Sequence, residues 1–488
     1  MRYYHYLIAA AIILFVGCHF SDAHDDPHDG KQIGLAAPAG SGGGGPFTSL
    51  NVLLLGNLPL SDIGGGAPDV LGNDCWGWTD PQTGKEYAIY GRTDGTSFID
   101  ASDPLNPVYL GDLPSQTGNV AWRDIKVYMN HAFVVSDNNG AHGMQVFDLT
   151  NLRGVTLPQT FSNTAHYGGF GRCHNIGINE DTGFAYCVGT DTFAGGPHAI
   201  DIGNPANPLF AGAFDGDGYT HDIQVVIYMG PDLTHVGREI AFCANTDTLT
   251  IVDFTDKGAP VQLSRTGYSL SGYSHQGWLT EDHRYFLMND ELDELEQTLN
   301  TRTHVWDILD LDSPLYVGSH THSLPTIDHN CYVKGNLVFE ANYTSGLRIF
   351  EITDLAATTL TLIGHLDTFP PDDAVNFNGA WSVYPYFESG TIVVSDRQNG
   401  VFLARQQCDP PTINCPDFAL GVYNQLCQDP LFQNLGDVVR GLAQLQQTLQ
   451  DELATVTICN DGTIGSQSNQ ACFDHTMMMM QDFINAQP

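Results

Sequence analysis

A short ladder of alternating polar and apolar positions recurs along this chain about every 50 residues. It reads Arg123-Ile125-Val127, His174-Ile176-Ile178, His221-Ile223-Val225, His275-Gly277-Leu279 and His329-Cys331-Val333. The first residues are 51, 47, 54 and 54 positions apart. Fainter copies, Asp74-Trp76-Trp78 and Gly379-Trp381-Val383, precede and follow the series. Alternation with period 2 marks a strand whose two faces meet different surroundings. After each ladder comes a turn and a second apolar strand, such as Phe184-Ala185-Tyr186-Cys187-Val188. A third strand ends in an acid, as in Phe98-Ile99-Asp100 and Ile251-Val252-Asp253. A turn then precedes a fourth, as in Pro107-Val108-Tyr109-Leu110-Gly111 and Pro314-Leu315-Tyr316-Val317-Gly318. Units of four short strands at this period predict an all-β, seven-bladed β-propeller over residues 51–406.

The ends of the series predict how the ring closes. The last unit stops at its third strand, Gly400-Val401-Phe402-Leu403. Before the first unit stands Asn51-Val52-Leu53-Leu54-Leu55-Gly56-Asn57-Leu58-Pro59, which closely matches the fourth strand Pro107 to Pro114. The N-terminal strand is therefore expected to complete the last blade and leave no unpaired strand between the two ends.

The flanks differ from the repeats. Residues 1–23 combine Arg2, an apolar run from Leu7 to Val16 and small residues at Ser21-Asp22-Ala23, the pattern of a secretory signal peptide. The competing reading is a lipid anchor on Cys18. Residues 24–50 are polar and then Gly-rich, a flexible linker. Residues 407–488 form a small Cys-rich C-terminal module. Within it Leu435, Val438, Leu442, Leu445 and Leu449 repeat at helical spacing, an amphipathic helix open to self-association. No other stretch is long and apolar enough for a transmembrane segment.

Composition narrows the class. The 488 residues carry a formal net charge of −38, which argues against nucleic acid as a partner. Export leads to an extracellular or cell-surface setting and to disulfides among the cysteines left after signal removal, mainly in the terminal module.

The repeats resemble the choice-of-anchor B family, extracellular proteins built from LVIVD-type propeller repeats. The resemblance runs from about Asn51 to Arg405. It is carried by His142-Gly143-Met144-Gln145-Val146-Phe147-Asp148-Leu149, His174-Asn175-Ile176-Gly177-Ile178-Asn179, Gly218-Tyr219-Thr220-His221-Asp222 and Gly379-Ala380-Trp381-Ser382-Val383-Tyr384-Pro385. It implies a secreted or surface-displayed propeller, and it implies no activity.

The chemistry lies in the first rung of each ladder. His174, His221, His275 and His329 hold one register in four consecutive units, so they should converge on the propeller axis. Four facing imidazoles in a narrow channel cannot all be protonated, and neutral imidazole is a good metal ligand. The set points to one transition metal ion, Zn, Cu, Fe or Ni rather than Ca or Mg. Asn245, Asp290 and Asn342, at the returning ends of the second strands, are expected to orient the rings. Asp74 and Arg123 complete the ring and face an anionic ligand. Two functions follow: a binding or scaffold propeller for an extracellular ligand or polymer, or a metal-dependent lyase or oxidase using the same ring. The acidic run Asp290 to Glu296 is expected to be a solvated loop, with Ca binding as its alternative.

Overall fold

The computed structural model describes residues 47–406, 413–414 and 457–458. The expected signal peptide, almost all of the linker and the C-terminal helix lie outside these residues. The chain divides into two compact units, residues 1–49 with 54–404, and residues 50–53 with 405–488. In the second, the described part of the C-terminal stretch is one antiparallel pair, Ile413↔Ile458 and Asn414↔Thr457.

Seven sheets of four or five strands form the propeller. Their innermost strands are Gly72–Thr79, Arg123–Tyr128, Asn175–Asn179, Asp222–Ile227, Ser274–Leu279, Asn330–Lys334 and Ala380–Tyr384. Within a blade the strands run outward by antiparallel pairing, for example Ile223↔Cys243 and then Cys243↔Thr250. The last sheet reads Val52–Leu58, Gly400–Gln406, Thr391–Asp396, Ala380–Tyr384 from outside to inside.

The apolar rungs are buried between blades, where each sheet packs its face on the next. Phe98 of blade 1 stacks on Phe147 of blade 2 at 4.6 Å within one cluster that also holds Ile89, Ile125 and Val134. Tyr90, Ile99, Val393 and Leu403 join blades 1 and 7 in the same way. A second device ties neighbouring inner strands together. The Asp74 carboxylate accepts from the Ile125 backbone N–H, Asp124 from Ile176, Gln224 from Leu279 and Gln276 from Cys331, at 2.7–3.0 Å. These polar side chains stand on the rung facing the next blade, so each replaces the missing strand-to-strand bond across the blade boundary.

The glycine of the fourth-strand pattern has a backbone reason. A bulge separates Phe98 from Ile99 where they pair with Gly111 and Tyr109, and the same bulge recurs at Val305/Trp306 opposite Gly318 and Tyr316. Gly111 sits at φ +128 and Gly318 at φ +147, conformations that favour glycine.

Five cysteines of the propeller, Cys75, Cys173, Cys187, Cys243 and Cys331, are buried free thiols. The inter-blade cores hold them as small apolar groups. Disulfides are thus absent among the described cysteines; the other mature cysteines, Cys408 to Cys472, lie outside the described residues.

Candidate metal centre on the propeller axis

The four histidines stand in a row. Ring centroids are 4.2 Å apart for His174 and His221, 4.2 Å for His221 and His275, and 4.3 Å for His275 and His329. All four are buried: His174, His221 and His329 immediately precede an innermost strand, and His275 is the second residue of one.

Their Nδ1 atoms follow one rule. His221 Nδ1 lies 2.9 Å from the His275 carbonyl, His275 Nδ1 3.0 Å from the His329 carbonyl, and His329 Nδ1 2.5 Å from the Trp381 carbonyl. His174 Nδ1 lies 2.8 Å from the Asp137 carboxylate. Carbonyl and carboxylate oxygens only accept, so every Nδ1 is the protonated nitrogen. In the neutral ring the lone pair then resides on Nε2. This is the outer-shell pattern that fixes tautomer and ring plane in metal-ligating histidines. Burial pushes the His221 imidazole well below its usual pKa, and the His275 and His174 rings push the same way, so this ring is neutral at pH 7. Asp137 stays ionised: burial opposes that, but the His174 bond and the Asn138 N–H hold its carboxyl below the usual range.

Sequence reasoning missed the carboxylate. Glu291, fully buried, places Oε2 3.6 Å from His275 Nε2 and Oε1 3.7 Å from His329 Nε2. Both gaps are long for hydrogen bonds. They suit groups sharing an ion at bonds of about 2 Å. Ligand atoms of His275, Glu291 and His329 all lie within 4.8 Å of one another. Tyr343 donates its hydroxyl to Glu291 Oε1 at 2.6 Å and steadies the carboxylate. The row therefore has a compact two-histidine, one-carboxylate end, with His221 and His174 continuing it. The only sequence cue to Glu291 is adjacency: it directly follows the returning strand end Asp290, and no periodicity marks its inward direction.

The residues expected to orient the rings bond elsewhere. Asn245 donates to Asp217 at 2.8 Å, and Asn342 to Glu340 at 3.0 Å. Asp290 accepts from Tyr268, Gly272 and Tyr273. Backbone carbonyls of the next blade and Asp137 do the orienting instead. Arg123 spends its guanidinium on the Arg92 and Thr93 carbonyls, Ser115 and His142 Nε2. Burial lowers it to about 10, so it remains charged at neutral pH. Asp74 is used in the inter-blade bond to Ile125 and lies 3.8 Å from Lys126. The Gly379 position leaves no gap: a Cβ there would come within 2.2 Å of the Tyr343 carbonyl, and the Trp381 ring lies 4.6 Å from His329.

The acidic run is not a solvated loop. Asp290, Glu291, Asp293 and Glu294 are all buried, the last two in the first turn of the short helix Asp293–Gln297. Asp293 is paired with Arg302, and its Oδ2 lies 3.6 Å from His304 Nε2. Asp290, Asp293 and His304 form a second buried group within ligand range. A third, Asp232, His235 and Asp312, sits partly exposed.

No family model matches the sequence, and no curated protein does. Solved structures with a similar course include the β-propeller domain of Cps50 (Swd1) from Myceliophteria thermophila, at 12% identity and TM-score 0.46, covering 74% of this chain and 99% of that one. A protein from Lactobacillus plantarum matches at 12% identity and TM-score 0.46, covering 67% and 88%. A putative 6-phosphogluconolactonase from Bacteroides fragilis matches at 15% and 0.44, covering 62% and 84%. At such values the seven sheets of this chain itself carry the fold assignment: it is an all-β, seven-bladed β-propeller.

Proposed function

We propose that this chain is an extracellular binding or scaffold propeller with a transition metal ion on its axis, held by His275, His329 and Glu291. His221 and His174 extend the site along the same row. The observation that carries the reading is the uniform anchoring of Nδ1, which prepares four Nε2 lone pairs beside one inward carboxylate. Imidazole with carboxylate suits Zn, Fe, Cu or Ni. The apolar run at residues 7–16 supports export, and the match between Asn51–Pro59 and the other fourth strands supports closure of the ring by that segment.

A second reading has its own support. Two histidines and one carboxylate leave coordination positions open, as catalytic rather than closed structural sites do. A metal-dependent lyase or oxidase would use those positions for water and substrate.

The test is metal content. The full chain, purified from the medium and dialysed against buffered Zn or Co, should hold about one ion per chain, with the tight range expected of built sites. His275→Ala, Glu291→Gln and His329→Ala should each lose it, while His131→Ala, a half-buried histidine at the start of the strand His131–Ser136 and outside the row, should not. Equal metal content in all five proteins would refute the site.

A further inference from the structure

Beyond the lead residues, the innermost strands of all seven blades enclose a cavity of about 280 Å³ in the channel. Five aromatic side chains wall it: Trp76, Trp278, Tyr332, Tyr384 and Tyr386. They are in mutual contact, with Trp76 and Tyr384 centroids 5.1 Å apart and Trp278 and Tyr332 5.0 Å apart, so the wall is continuous. Trp76, Trp278, Tyr332 and Tyr384 stand on innermost strands, and Tyr386 follows the last of them.

The titratable groups around this wall are mostly acidic. Lys126 is the only Lys or Arg among the residues that line it. Its Nζ is already taken: it lies 2.6 Å from Asp124, 3.8 Å from Asp74 and 4.6 Å above the Trp76 ring. Two carboxylates thus share one ammonium. Asp222 lines the cavity as a third carboxylate, with its Oδ1 bonded to the adjacent Ile223 N–H, and Glu180 stands at the exposed rim. Burial raises the Asp74 carboxyl well above its usual range and Asp222 to about 7, so Lys126 and Asp124 offset each other and the negative charge of the cavity rests on Asp222 as it ionises; the cavity is aromatic and large enough for a small molecule. A neutral sugar would leave that charge uncompensated. An inorganic cation would gain nothing from the apolar part of the wall. An organic ammonium answers both features, since ring faces attract cations and alkyl groups pack on them.

We infer that the channel cavity is a binding site for a small organic cation, an alkylated or quaternary ammonium, whose charge faces Asp222 and whose carbon groups pack on Trp278, Tyr332 and Tyr386. The site is separate from the metal centre, and neither depends on the other.

Choline and its neutral carbon isostere 3,3-dimethylbutan-1-ol differ only in charge and serve as probes. Both are titrated into the full chain at fixed ionic strength, with tryptophan fluorescence and calorimetry as readouts. Choline should bind at least about tenfold more tightly than the alcohol, a difference of about 1.4 kcal/mol. Asp222→Asn should weaken choline about tenfold and leave the alcohol unchanged, which the wild-type comparison checks independently of the variant's folding. Equal affinity for the two probes, or binding of neither at about 10 mM, where a site weaker than that scale is non-specific, would overturn the inference.

Discussion

Glu294 offers a quantitative test of how the acidic run is buried. The residue is 2% exposed, and neither carboxylate oxygen has a hydrogen-bond partner. Burial and the neighbouring Asp293 charge raise its pKa from 4.5 to about 10. Above pH 4.5 the unfolded chain loses this proton while the folded chain keeps it. Folding therefore takes up a proton, and stability falls as pH rises from 4.5 towards 10. At pH 7 the cost is set by the 2.5 pH units between 7 and the unfolded value of 4.5. That amounts to about 3.4 kcal/mol, whatever the folded value above neutrality. Glu294→Gln removes the proton uptake, keeps the shape and gives the partnerless Asp293 Oδ1 a donor. The variant should match the wild type at pH 4.5 and be more stable by up to about 3 kcal/mol at pH 7, the gain growing by about 1.4 kcal/mol per unit between. Urea unfolding at pH 4.5, 6 and 7, with and without chelator, measures this. A variant less stable than wild type at pH 7 would show that Glu294 is ionised and held by a cation, and would refute the reasoning.

Three further outcomes follow from the same structure. Asp137→Asn removes the charge-assisted bond to His174 and should cost about 1.5–3 kcal/mol at pH 7; because the Asp137 carboxyl is held below its usual 3.8, the cost should shrink as pH falls through that range, as paired unfolding curves at pH 7 and 3 would record. Starting the chain at Asp74 removes Val52–Leu58 from the last sheet, including the two bonds from Asn57 Nδ2 to the Asn399 and Val401 carbonyls, and should lower the melting temperature by at least about 5 °C; an unchanged melt would end the closure proposal. Five thiols should resist a thiol reagent in the folded protein and react on unfolding without reductant, matching Cys75, Cys173, Cys187, Cys243 and Cys331; fewer than five after denaturation would contradict their free state.

The repeat was legible because it is written twice. Alternation gives each inner strand two faces, and the spacing from His174 through His329 places equivalent faces in consecutive blades. The bulge glycines Gly111 and Gly318 were visible as the ends of the fourth-strand pattern; both have positive φ, and at Gly111 the Gln159 backbone also leaves no room for a Cβ. The histidine row was legible to the same depth: equivalent places on the repeat bring the four rings side by side. Residues off the repeat were not. Glu291 lies between the end of the strand Tyr285–Asp290 and the short helix Asp293–Gln297, and its inward direction is a tertiary choice that no periodicity encodes. The same stretch holds a run of buried acids that composition reads as solvated. Asn245, Asp290 and Asn342 end strands near the mouth, yet a strand's level does not fix its side-chain rotamer. Nearer donors and acceptors claim them, while carbonyls one blade along, invisible to any side-chain reading, orient the imidazoles.

The central claim is a shared ion between blades 5 and 6. A crystal of the metal-loaded chain, with data collected on both sides of the metal's absorption edge, tests it most directly. The account predicts one anomalous peak bonded at about 2.0–2.2 Å to Nε2 of His275, Nε2 of His329 and a carboxylate oxygen of Glu291. Full metal content with the peak elsewhere, at Asp232, His235 and Asp312 for example, would contradict it.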